Sequence, residues 1–183
     1  MKIYEIGHFD GESTNFAICT PIIDSEWFYL CWSLGRPFEQ KLDEPIIYNV
    51  DGKADIEDFP TTNADQFLIS YDIYKILHKT NAKYQSYLSV LIKEDGTKFR
   101  NYYTINFVES FSCYHRELSK YRIDEDGFAR FDEEPIYDKS LIPDNKEIFR
   151  SADGIEIFAT EKFREKIKSF NIKGMGFREI ILV

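Results

Sequence analysis

The sequence predicts an α+β fold, a mostly antiparallel sheet with hairpins and two amphipathic helices packed on it. Three observations carry this. Apolar residues alternate with period two over long stretches, Asp-Gly pairs recur where such stretches would reverse, and two segments switch to helical spacing behind a Ser or Thr.

In chain order, Asp10-Gly11 and Asp51-Gly52 are the first hairpin candidates, because Asp and Gly tolerate the positive φ of tight turns. A helix follows within "ISYDIYKILHKT". Ser70 stands where its hydroxyl can accept a bond from an unpaired backbone N–H, and Ile73, Ile76 and Leu77 fall on one face. The clearest hairpin is "YQSYLSVLIKEDGTKFRNYYTINFV", where residues 84–93 and 99–108 alternate on either side of Asp95-Gly96. Apolar side chains occur on both of its faces, so it is expected to lie centrally and to be covered on both sides. Asp126-Gly127 and Asp153-Gly154 are further turn candidates. The second helix is predicted within "ATEKFREKIKSFNIKG". Thr160 caps it, Phe163, Ile167 and Phe170 form its apolar stripe, and Gly174 follows its end.

The segments "FLISYDIYKILHKTNAKYQSYLSVLI" and "IFATEKFREKIKSFNIKGMGFREIIL" share one order: strand, cap, helix, loop, closing strand. Ser70 aligns with Thr160 and Ile73 with Phe163. Duplication and common α/β grammar both account for this.

At 183 residues, with no Pro/Gly/Ser-rich linker, the chain is expected to form one domain over 1–183. A 43% hydrophobic share, with aromatics at 16%, supplies a core. The start, "MKIYEIGHFDGES", lacks the apolar stretch of a secretory signal. The apolar runs "WFYLCW" and "IILV" fall far short of the roughly 20 residues that cross a bilayer. A soluble, cytoplasmic protein without membrane contact is expected. Cys19, Cys31 and Cys113 form no C-x-x-C, and His8, His78 and His115 are scattered, so neither a disulfide, a metal nor a cofactor is expected. A net charge of −9 disfavours nucleic acid and favours a basic protein partner, although acidity also serves plain solubility.

Chemistry is sparse. "FSCYHRELS" places Cys113 and His115 two apart, which in a strand is about 7 Å and too far for a nucleophile–base pair. No third orienting group or oxyanion hole is evident, and no phosphate-loop or nucleophile-elbow motif occurs, so no catalytic residue is assigned. The segment "IDEDGFARFDEEP" carries Asp124, Glu125, Asp126, Asp132, Glu133 and Glu134 around the turn candidate Asp126-Gly127. It lacks calcium-loop spacing. A solvated hairpin is one reading, and an acidic edge that meets a basic partner is the other. The basic stretch "KFREKIKSFNIK" reads as the ordinary polar face of a helix.

"NYYTINFVESFSCYHRELSKY" and "EIFRSADGIEIFATEKFREKIKSFNIKGMGFREI" together resemble an immunity-protein family of bacterial polymorphic toxin systems, first described as a domain of unknown function. The resemblance rests on Tyr102-Tyr103, Asn106, Cys113, Ser119, Ile148-Phe149-Arg150, the Thr160-headed helix, Gly174, Phe177 and Arg178. It covers 58–181, while 1–57 match loosely. It implies a non-enzymatic protein that binds and neutralises a cognate toxin domain, with a basic nuclease one option. A small enzyme without a linear motif and a regulatory interaction domain unrelated to toxins are the alternatives. The acidic segment is the expected partner surface, with Trp27, Trp32 and the N-terminal third as the alternative.

Overall fold

The computed structural model describes residues 2–8, 17–23, 26–39, 42–52, 54–64, 66–125 and 129–183. Two mixed sheets and a two-stranded ribbon hold the strands. In the first sheet β1 (Ile3–Gly7) lies between β13 (Gly176–Glu179) and β12 (Ile157–Thr160), followed by β11 (Ile148–Ser151) and the short β8 (Ser110–Phe111). The second runs β4 (Thr61–Thr62), β2 (Ile18–Ile22), β3 (Ile46–Asp51), β6 (Tyr84–Lys93), β7 (Lys98–Phe107) and β5 (Phe67–Ser70). The ribbon joins β9 (Tyr121–Ile123) to β10 (Ala129–Phe131).

The expected mostly antiparallel sheet is met in part. β2–β4, β3–β6 and β8–β11 pair in parallel. Long connections allow this: β3 and β6 are separated by more than thirty residues that hold two strands and a helix, so the chain can return in the same direction. A third helix, α1 (Glu26–Ser33), occupies the apolar run around 27–32. It ends in a Schellman motif: Gly35 has φ 60°, its N–H donates to Trp32 O, and Arg36 N–H donates to Cys31 O.

The Asp95-Gly96 hairpin forms as read, with Gly96 at φ 82°. Asp153-Gly154 joins the antiparallel β11 and β12, and Asp126-Gly127 lies outside the described residues between the paired β9 and β10. The Asp51-Gly52 expectation fails, because β3 pairs with β2 and β6 and not with the next strand. Asp10-Gly11 is itself outside the described residues, but its flanking strands β1 and β2 belong to different sheets, so they form no hairpin. The β6–β7 hairpin is central in its sheet. Its two-sided cover is partial: consecutive residues are buried at Ser89–Leu91 in β6 and, farther from the turn, at Thr104–Phe107 in β7, while the turn itself is open to solvent.

The shared order noted in the two segments becomes a shared topology. β5 and β6 both pair antiparallel with β7, and the helix α2 (Tyr71–Leu77) crosses between them. β12 and β13 both pair antiparallel with β1, crossed by α3 (Glu161–Ser169). Each unit is a strand-helix-strand wrapped around a third strand, and α2 and α3 touch each other.

Ile73, Ile76 and Leu77 of α2 and Phe163 and Ile167 of α3 are buried as the spacing predicts. Phe170 is not, at 56% exposure, because α3 stops at Ser169. Ser70 and Thr160 hold the N-cap positions with extended backbones, but neither hydroxyl caps. Both are the last residues of strands, so their side chains follow the strand. Ser70 Oγ is buried without a partner, and Thr160 Oγ1 donates to Glu147 O.

One apolar cluster spans both sheets and joins Leu68, Ile69 and Ile73 to Ile148, Ala159 and Phe163. Alternation along β11 and β12 sends Phe149 and Phe158 the other way, into a second cluster with Ile3, Cys113, Tyr137 and Ile142. The residues that carry the family resemblance are ties within this frame. Tyr103 stacks on Tyr74 at 4.2 Å, Tyr102 Oη donates to Glu57 O, and Asn106 Nδ2 donates to Arg36 O. Ser119 Oγ donates to Ile136 O and accepts from Ile136 N–H.

Gly174 shows why a glycine follows α3. Its φ is 84°, and a Cβ there would lie 2.7 Å from Phe59 O and 2.5 Å from Glu57 Oε2. Gly174→Ala is therefore expected to cost at least about 2 kcal/mol, through left-handed strain and a backbone clash that no rotamer relieves. Urea denaturation checks this.

Candidate recognition site

Two features could recognise a partner, and they adjoin. The first is the ribbon. Among its acids, Glu125, Asp132, Glu133 and Glu134 are exposed, Asp124 is partly buried, and Asp126 lies outside the described residues. Cations are interleaved with them. Arg130 Nε donates to Asp124 Oδ2 at 2.6 Å, and Lys120 Nζ donates to Glu133 Oε1 at 2.6 Å. The ribbon is thus less negative than the run of acids suggests, but it still carries more carboxylates than cations. It is tied to the β11–β12 turn by Ala129 N–H donating to Asp153 O. Asp153 in turn accepts from Ser112 Oγ and from Cys113 N–H, and burial pushes its carboxyl above the usual range.

The second feature is a cleft of about 380 Å3 at the seam of the two sheets. β1 contributes Glu5, α1 Trp32, the stretch before β5 Gln66, β11 Arg150, and the β11–β12 turn Glu156. Phe59, Phe67 and Phe107 supply apolar walls. Of these, the sequence singled out only Trp32, as an alternative partner residue, and Arg150, within the Ile148-Phe149-Arg150 of the family resemblance; the others are far apart in the chain and belong to no motif.

Arg150 is 4% exposed, and its Nη2 donates to Ser33 O at 2.5 Å and to Gly154 O at 3.4 Å. Burial lowers its pKa, and the nearby Glu156 opposes that. Glu5 pairs with Arg178 at 2.5 Å. Burial raises the Glu156 carboxyl, the neighbouring Glu5 adds to the rise, and Arg150 works against it. His8 stacks on Phe59 at 4.8 Å, and burial lowers its pKa.

Cys113 and His115 do not meet. Cys113 is buried, its thiol is pushed up to about 12 by burial and by Asp153, and its Sγ donates to Phe111 O. His115 Nδ1 instead accepts from Leu118 N–H. Such a thiol supplies no thiolate near neutral pH. The basic helix face is also largely engaged: Lys162 and Lys166 both pair with Glu147, and Arg164 pairs with Glu161. Among the described residues no group of three or more His, Cys, Asp or Glu could hold a metal ion, and no helix is long and apolar enough to cross a membrane.

The fold and these surfaces define an acidic, sheet-rich α+β protein whose accessible polar features suit recognition. Residues 20–181 match the family model described as "Immunity protein family (Imm11)", and the chain belongs to that family. The match begins well before residue 58, so it takes in α1, β3 and the end of β2, which the sequence resemblance covered only loosely. No curated protein matches the chain. Membership implies toxin neutralisation in general, by binding a cognate toxin, in a family that is generally non-enzymatic.

Proposed function

We propose that this protein neutralises one cognate toxin domain by tight one-to-one binding in the cytoplasm of the producing cell, with no turnover of its own. The toxin we favour is a basic nuclease. The net charge of −9 carries this reading, since many nucleic-acid-cleaving domains are basic and an acidic partner captures them quickly by electrostatic steering. The ribbon acids Asp124, Glu125, Asp126, Asp132, Glu133 and Glu134 are the proposed steering surface, because Glu125, Asp132, Glu133 and Glu134 are exposed beside the paired strands β9 and β10.

Co-expression with the toxin encoded beside it is the direct test. Growth inhibition should be relieved, and a 1:1 complex should survive gel filtration. Unrelieved toxicity without a complex would refute the proposal. Neutralisation of a pore-forming or peptidase toxin would refute only the nuclease part.

A further inference from the structure

We infer that the seam cleft is an anchor pocket for one arginine side chain of the toxin domain, held by Glu156. The inference rests on the toxin-binding reading and adds the contact that reading leaves open. Glu156 lines the cleft, yet among the described residues its carboxyl has no ion pair and no hydrogen bond to another residue, only one from its own backbone N–H. The neighbouring charges are all engaged elsewhere. Arg178 neutralises Glu5, and the Arg150 guanidinium is spent on the carbonyls of Ser33 and Gly154. Arg150 lies close enough to help keep Glu156 ionised without occupying its oxygens.

A second observation points independently to a ligand. Gln66 is 5% exposed, Tyr48 Oη donates to its Oε1 at 2.7 Å, and its Nε2 is buried without a partner. An unpaired buried polar atom costs about 1–3 kcal/mol unless something satisfies it on binding. Turned over, the same amide would donate to Tyr48 and leave its oxygen as the unpaired atom in the cleft wall. Thr61 Oγ1, also on the cleft, is likewise buried and unpaired. Acceptors and aromatic rings lining one cleft suit guanidinium better than ammonium, since guanidinium is planar, weakly hydrated and stacks on rings. The volume of about 380 Å3 is ample for one long side chain. The location also fits: the β11–β12 turn that carries Glu156 supports the acidic ribbon through Asp153, so steering and anchoring surfaces are continuous.

The test has two arms on the full chain. In the first, N-acetyl-arginine amide is titrated into isotopically labelled protein and followed by NMR. Saturable shifts are expected at the Gln66 side-chain amide and the Trp32 indole, with a dissociation constant in the millimolar range, about what a ligand of this size can reach. Glu156→Gln should weaken this at least about tenfold, and N-acetyl-methionine amide should not substitute. Absence of saturable cleft shifts, or equal binding by E156Q, overturns the inference.

In the second arm, E156Q should weaken affinity for the toxin domain on the order of 30-fold. Full affinity in E156Q overturns the anchor while leaving toxin binding intact. If the unaltered chain fails to bind the toxin, the proposed function fails, and the arginine titration still decides the pocket. Misfolding will not confuse the result. A carboxyl whose folded pKa is raised loses stability as pH rises through that value, so the amide should be at least as stable near neutrality.

Discussion

Replacing Arg150 by methionine is expected to destabilise the protein by about 3 kcal/mol, lowering the thermal midpoint by roughly 6–12 °C. The side chain spans the seam from β11 to the carbonyl of Ser33 at the end of α1, and its stem fills the space that a Cβ on Gly35 would take, with Cδ and Nε both 3.1 Å from that point. Methionine restores much of the packing and none of the donors, which leaves the carbonyls of Ser33 and Gly154 unpaired. It also removes the charge that favours ionised Glu156, so Arg150→Met should lose more stability near pH 7 than at acid pH, where Glu156 is protonated in both proteins. Adding Glu156→Gln should recover part of the loss. Purely additive effects would show that the two groups do not interact.

Neutralising the ribbon acids by Asp124→Asn, Asp126→Asn, Asp132→Asn and Glu133→Gln should slow toxin association about tenfold at low salt and flatten its salt dependence. The structure sharpens the reason. Asp124 and Glu133 each hold a cation, so their loss removes two negative charges and also releases Arg130 and Lys120 toward a basic partner. Stopped-flow association at several salt concentrations is the measurement. Unchanged rates would make the ribbon a spectator. Dissociation should change little, because the anchor proposed at Glu156 is untouched.

Much of the architecture is legible in the residues themselves. Period-two alternation on either side of Asp95-Gly96 finds β6 and β7 to within a residue, and the spacing of Ile73, Ile76 and Leu77 finds α2. These patterns are local, and local patterns survive in a one-dimensional string. The Ser70 and Thr160 caps show the limit: the positions are right, but strand pairing places the hydroxyls and denies them the capping role. Phe170 fails for a similar reason, since a helix that stops one residue earlier turns an apolar stripe position outward. The helix in 26–33 was hidden because a short, wholly apolar run has no period to read.

By itself, the sequence determined the α+β class, the two strand-helix-strand units, the absence of a recognisable catalytic motif, and the family to which the tied residues belong. Those rest on local periodicity, turn chemistry and characteristic residues, each of which is written within about thirty positions. Only the tertiary structure decided that the strands divide into two mixed sheets, that Arg150 bridges their seam, and that Gln66 and Glu156, ninety positions apart, face one cleft. Pairing partners and buried charges depend on which surfaces meet when the core closes. No single stretch of chain encodes that meeting.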